Sequence, residues 1–291
     1  MLFSSAKEKM KFENVYFSVL KRLIPQYEYY EIETSFGNVN IIDVNANKNL
    51  PVVVAIHGIR GAGPLFLKNL LALESQCRII IVDNFEELSL NYSNALNGEN
   101  FEHGQWVFEI LARLDVKDVT LMGISVGAIS VLNTLSYDAR KIKAAILYSP
   151  GGLTVKWGSL KFRWRLKKSI GLNANLVWNE KTKLIVQDLI TDSDRISFDY
   201  LEYLINRFNF TLPKMVRMDR EMASGISTPV YLVVAKDDPL FSSKHMLSTA
   251  KSIIPNLKRA VVLKGEKHFM GNNQLPGLLH QLIYEISKLK E

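Results

Sequence analysis

The chain has 291 residues, of which 47% are hydrophobic and 22% charged, a soluble globular composition with ample material for a large buried core. Its single cysteine, Cys77, excludes an internal disulfide. No apolar run approaches the roughly 18 residues that span a bilayer, and the opening "MLFSSAKEKMKFENVYF" lacks the apolar core of a secretory signal. A cytoplasmic protein without stable membrane insertion is the expectation.

The formal net charge is +7, and it is unevenly placed. Residues 139–179 contain no acid but carry Arg140, Lys141, Lys143, Lys156, Lys161, Arg163, Arg165, Lys167 and Lys168. Such a window can attract an anionic surface. A solvated helix face is the simpler reading, and no nucleic-acid partner is expected.

Taken in chain order, "YEYYEIE" from Tyr27 and "VNIIDV" from Val39 predict two strands with no helix between them. The "SFGN" at Ser35 to Asn38 turns them into an antiparallel hairpin. Next come apolar strands at "VVVAI" from Val52 and "RIIIVD" from Arg78, separated by a helical pattern from Gly63. A helix from His103, a strand "DVTLMG" from Asp118, a helix from Gly127 and a strand "AAILYS" from Ala144 follow. After a break come "VYLVVA" from Val230, a helix from His245, "RAVVLK" from Arg259 and a C-terminal amphipathic helix from Leu275. Continuous apolar strands alternating with helices predict an α/β fold, a mostly parallel eight-stranded sheet covered by helices on both faces.

The break is four consecutive helical patterns, "LTVKWGSLKFRWRLKKSI", "NEKTKLIVQDLIT", "SFDYLEYLINRF" and "LPKMVRMDREMA". It is too long for a loop. The expected organisation is a core of residues 1–152 and 226–291 with a helical lid of residues 153–225. In the lid's first helix Leu153, Trp157, Leu160 and Trp164 share an apolar face. They either pack on the core or, for Trp157 and Trp164 in particular, line a substrate pocket.

Between the strand at Asp118 and the helix from Gly127 stands "GISVG". Gly123, Ser125 and Gly127 give the small-x-nucleophile-x-small pattern of a nucleophile elbow. The serine sits in a strained turn, and its flanking positions must be nearly free of side chain so that strand and helix can close together. The helix N-terminus then faces the site and favours developing negative charge.

A serine hydroxyl needs a base. His268, in "KGEKHFM" after the last strand, is at the right sheet edge. His57 follows "VVVAI", His103 and His245 sit at helix starts, and His280 stands among core leucines. The orienting acid falls in "VYLVVAKDDPLF", where Asp238 is preferred and Asp237 is the alternative. Two backbone N–H groups should form the oxyanion hole: Val126, after the nucleophile, and Ile59, in "HGIRGAG". His57 and Gly58 of that loop are candidate substrate contacts. The loop lacks both the "GK[ST]" and the spacing of a phosphate-binding motif. No histidine or cysteine pair stands at metal-ligand spacing, and the chemistry calls for no metal or cofactor.

Through nearly its whole length the chain resembles α/β-hydrolases, with elbow, HG loop, acid loop and terminal histidine in that fold's order. The N-terminal half is similar to bacterial serine carboxylesterases, in "LKRLIPQYEYYEIETSFGNVNII", the HG loop and the "QW" of the helix before the elbow. The resemblance implies hydrolysis of carboxylic esters through an acyl-enzyme on Ser125, with a small-molecule ester of a small or medium apolar acid as substrate. Thioesters, lactones and certain carbon–carbon bonds are cleaved by the same triad, and a non-catalytic binding homologue is the reading furthest from these. Many such hydrolases carry a glycine-rich loop after the fourth strand. Here that stretch is "DNFEELSLN", from Asp83, so the pocket wall differs.

Overall fold

A computed structural model describes residues 5–58, 63–82, 96, 101–153, 180–191, 194–207, 217–271 and 273–289, to which the following applies. The strands are β1 (Glu28–Thr34), β2 (Gly37–Val44), β3 (Val52–Ile56), β4 (Arg78–Val82), β5 (Val119–Ile124), β6 (Ile142–Tyr148), β7 (Val230–Ala235) and β8 (Leu257–Leu263). They form one sheet in the order β1-β2-β4-β3-β5-β6-β7-β8. β1 and β2 make the expected hairpin, turned by Ser35 and Phe36, and β2 also runs antiparallel to β4. Every pairing from β4 to β8 is parallel.

The parallel strands explain their own composition. β5 and β7 are buried at every residue, so both faces need apolar side chains. Helices cover them: α1 (Ala6–Leu23), α2 (Gly63–Leu70), α3 (Glu102–Arg113) and α4 (Gly127–Tyr137) from the first half of the chain. α3 packs on α4, and α4 on β3, β5 and β6. At the hairpin side, buried Asp43 accepts hydrogen bonds from Arg78 Nε (3.0 Å) and Nη2 (2.6 Å) and from the Tyr30 hydroxyl (2.9 Å). Burial, and then the neighbouring carboxylate, hold the Tyr30 phenol above its ordinary pKa.

Between β6 and β7 the chain leaves the sheet through α5 (Glu180–Leu189), α6 (Arg195–Arg207) and a short α7 (Arg220–Ala223). α5 packs against α6. The Met218 N–H donates to the Gly152 carbonyl at 3.0 Å, which brings the end of the excursion back to its start. The first helix expected there, with Trp157, Leu160 and Trp164, lies outside the described residues beyond Leu153, which is buried. Two boundaries differ from the sequence expectation. α5 stops at Leu189 because the Leu189 carbonyl and the Thr191 N–H pair instead with the main chain of Phe269. α7 covers only Arg220–Ala223, where Asp219 caps it by accepting the Met222 N–H at 2.8 Å.

α8 (Ser243–Ile253) joins β7 to β8, and α9 (Leu275–Ser287) ends the fold. α9 turns Leu275, Leu278, Leu279, Leu282, Ile283 and Ile286 into the core. Because β3, β5, β7 and β8 are parallel, the loops that follow them emerge at one edge of the sheet. Among the described residues, no helix is long and apolar enough to cross a membrane.

Candidate active site

Ser125 occupies the turn between β5 and α4 with φ at 55°, a left-handed conformation that a residue with a Cβ adopts at a cost. Main-chain bonds hold it there. Its N–H donates to the Tyr148 carbonyl at 3.0 Å, and its own carbonyl accepts from Gly151 (2.8 Å) and Ala128 (3.2 Å). The flanking glycines are explained by close approach. A Cβ on Gly127 would stand 2.3 Å from the Ile56 carbonyl oxygen and 2.4 Å from that of His57. One on Gly123 would stand 2.6 Å from the Gly127 carbonyl oxygen. Strand, elbow and helix meet here with room for hydrogen atoms only.

The loop after β3 lies against the same serine. A Cβ on Gly58 would come within 2.7 Å of Ser125 Cβ. His57 is fully buried, and its Nδ1 lies 3.0 Å from the Gly58 carbonyl, which accepts from it. Ile59 lies outside the described residues. Val126 N–H has no acceptor among the described residues and stands just ahead of α4 at its positive end.

Asp238, beyond β7, and His268, beyond β8, are brought together. His268 Nδ1 lies 2.8 Å from Asp238 Oδ2. A carboxylate only accepts, so Nδ1 carries a proton, and in the neutral ring that leaves the lone pair on Nε2. The second oxygen, Asp238 Oδ1, takes the N–H groups of Leu240 (2.7 Å) and Phe241 (3.0 Å), which fixes the carboxylate plane. Phe241 and Phe269 set their rings edge-on to the imidazole at 5.4 and 5.3 Å. Asp237 is differently employed: it is exposed, and its Oδ2 accepts the Gly265 N–H at 3.0 Å. No hydrogen bond joins Ser125 Oγ to His268 in this structure.

The other histidines stand apart from this pair. His103 is buried against α4, with Nδ1 2.9 Å from Ser130 Oγ. His245 is exposed at the start of α8, and His280 is half-buried on α9 rather than in the core with its leucine neighbours. Among the described residues, no group of histidines, cysteines and acids could hold a metal ion.

Three residues that the sequence reading passed over organise the site. Tyr148 accepts Ser125 N–H on its carbonyl, and its hydroxyl accepts the N–H of Met270 at 3.0 Å, so one residue ties the elbow to the histidine loop. Buried Glu266 accepts the Gly271 N–H at 2.7 Å and closes that loop on itself. Thr191 Oγ1 accepts the Lys267 N–H at 2.8 Å. Glu266 was readable as an acid two residues from the candidate base. Nothing in the sequence marks Tyr148 or Thr191, because their partners are main-chain groups.

Eight strands in this order, with a strand–serine–helix elbow and an acid–histidine pair beyond β7 and β8, define the α/β-hydrolase fold. No family model matches the chain. Two curated Bacillus subtilis (strain 168) proteins are similar to it. An uncharacterized carboxylesterase, nap, is 20% identical over 248 residues, 84% of this chain and 82% of that one. Carboxylesterase YbfK is 20% identical over 282 residues, 94% and 93% of the two chains. Among solved structures, naproxen esterase (carboxylesterase NP) from B. subtilis superposes with a TM-score of 0.80 at 17% identity, covering 96% of this chain and 98% of its own.

Proposed function

We propose that the protein is a serine hydrolase that cleaves carboxylic esters of small to medium apolar acids through an acyl-enzyme on Ser125. The observation that carries this reading is the closed Asp238–His268 pair at the sheet edge where Ser125 is held in a left-handed elbow. The similarity to carboxylesterases over most of both chains supports it.

In this reading Ser125 Oγ attacks the ester carbonyl as its proton passes to His268 Nε2. Asp238, held by the Leu240 and Phe241 amides, keeps the ring in the tautomer that leaves Nε2 free and stabilises the imidazolium that forms. The carbonyl oxygen gains charge and is met by Val126 N–H, with Ile59 N–H proposed as the second donor. The imidazolium returns its proton to the leaving alcohol, and the acyl group stays on Ser125. A water then gives a proton to Nε2 as it attacks the acyl carbon, and the imidazolium returns that proton to Ser125 Oγ as the acyl–oxygen bond breaks and the acid leaves. Residues 153–225 are the lid in this account, with Trp157 and Trp164 lining the acyl pocket.

The test is turnover of a panel of p-nitrophenyl esters of increasing acyl length, with thioesters and lactones alongside. The expected result is a preference for short to medium acyl esters that Ser125→Ala abolishes. Undiminished ester hydrolysis in Ser125→Ala overturns the proposal.

A further inference from the structure

The chain that leaves α5 does not stay within the insertion. It crosses to the loop that carries His268. Ile190 forms a parallel bridge with Phe269. The Phe269 N–H donates to the Leu189 carbonyl at 2.8 Å, and the Thr191 N–H donates to the Phe269 carbonyl at 2.9 Å. On the other side of the histidine, the Lys267 N–H donates to Thr191 Oγ1 at 2.8 Å, and its ammonium donates to the Gln187 carbonyl at 2.6 Å. Both peptide neighbours of His268 are thus gripped by residues 187–191. The gripping segment is itself anchored to the core a few residues on. Asp194 pairs with Lys68 of α2 at 2.5 Å and caps α6 by accepting the Ser197 N–H at 3.0 Å.

This matters because the bond to Asp238 fixes only one end of the imidazole. A ring held at Nδ1 alone can still swing, and a misplacement of about 1 Å at a reacting atom costs about a hundredfold in rate. The direction of Nε2 depends on the main chain at Lys267 and Phe269, and that main chain is held by the insertion. We infer that Thr191 is a positioning residue for His268, through which the inserted helices set where the catalytic base stands. The inference rests on the hydrolase reading. It adds that the insertion, through residues 187–191, holds the loop that carries the base. Three of the four grips use main-chain acceptors or donors of the insertion. Among the described residues, the Thr191 hydroxyl is the insertion side chain that holds this loop, and so the one that substitution can remove cleanly.

The experiment compares the unsubstituted protein with Thr191→Val and Thr191→Ser. It measures the rate of fluorophosphonate labelling at Ser125, kcat and KM on the best ester, and the thermal midpoint. Thr191→Val keeps the shape and the main-chain bonds but removes the acceptor of the Lys267 N–H. The expected result is a loss of about three- to ten-fold in labelling rate and kcat, the rate equivalent of one net hydrogen bond. KM stays within about twofold, and Thr191→Ser restores both rates because it keeps the oxygen. Should Thr191→Val yield no folded protein, Thr191→Ala removes the same oxygen without a second methyl facing the amide. Unchanged rates in the folded variant overturn the inference, as does a Thr191→Ser variant as slow as Thr191→Val. A lowered thermal midpoint with unchanged rates also overturns it, since that is what a merely structural role predicts. Absence of labelling in the unsubstituted protein overturns the hydrolase reading, and the inference with it.

Discussion

His268 donates its Nδ1 proton to Asp238 Oδ2 at 2.8 Å, with the two side chains 2% and 0% exposed. Shut off from water, the pair is strong where a surface pair would be weak. Asp238→Asn replaces an acceptor-only group by an amide and permits the wrong ring tautomer, so kcat should fall by about 10³- to 10⁴-fold. Asp237→Asn keeps an oxygen for the Gly265 N–H and leaves the imidazole untouched, so kcat should stay within about threefold. Steady-state kinetics of the two variants check this. Equal losses would mean that the acid has been misplaced.

The elbow predicts an intolerant glycine. A Cβ at Gly127 would stand 2.3 Å and 2.4 Å from two main-chain oxygens of β3 and its loop, groups that cannot turn aside as a side chain can. Gly127→Ala should destabilise the fold by about 3 kcal/mol, read as a lowered urea midpoint or as loss of soluble protein. Gly277→Ala is the control: nothing lies within 4 Å of its added methyl.

Cys77 should report unfolding rather than reactivity. It is fully buried, and burial pushes its thiol up to about 11, so little thiolate exists near neutral pH. A thiol-reactive chromophore should label the native protein negligibly and the urea-unfolded protein to one equivalent. Rapid labelling of the native protein would contradict this burial.

Glu202 on α6 is buried, and neither carboxylate oxygen has a hydrogen-bond partner among the described residues. Burial raises its pKa; Lys183 opposes this and Asp199 adds to it. Its folded pKa lies above its unfolded one, so the unfolded state gives up its proton first as pH rises. Stability from this residue is therefore lost between the ordinary glutamate range and the raised folded value. Glu202→Gln should raise the thermal midpoint at neutral pH, with the gain shrinking on acidification towards the ordinary glutamate range. A gain that is independent of pH would show that charge is not the cause.

Much of this was legible in the sequence because it is written in side-chain type. Continuous apolar runs such as "VVVAI" and "VYLVVA" signal strands covered on both faces, and the glycines of "GISVG" signal an elbow. That Asp238 and His268 would meet could be read because the chain resembles a fold in which an acid and a histidine follow the last two strands. The rest is main-chain bookkeeping that residue types do not encode. α5 ends at Leu189 because Ile190 pairs across the fold with Phe269, a partner 79 positions away that no local pattern reveals. Tyr148 looks like the last residue of a strand until its hydroxyl is found on the Met270 amide. His280 was placed in the core by its leucine neighbours, yet on a helix only one face of that run turns inward.

The central claim is that Ser125 is the nucleophile. The most direct measurement is the intact mass and peptide map of the folded protein after treatment with a fluorophosphonate. The account predicts one adduct, on the peptide containing Ser125, lost in Ser125→Ala and much slowed in Asp238→Asn. No adduct, or an adduct on another serine with Ser125 unmodified, would contradict it.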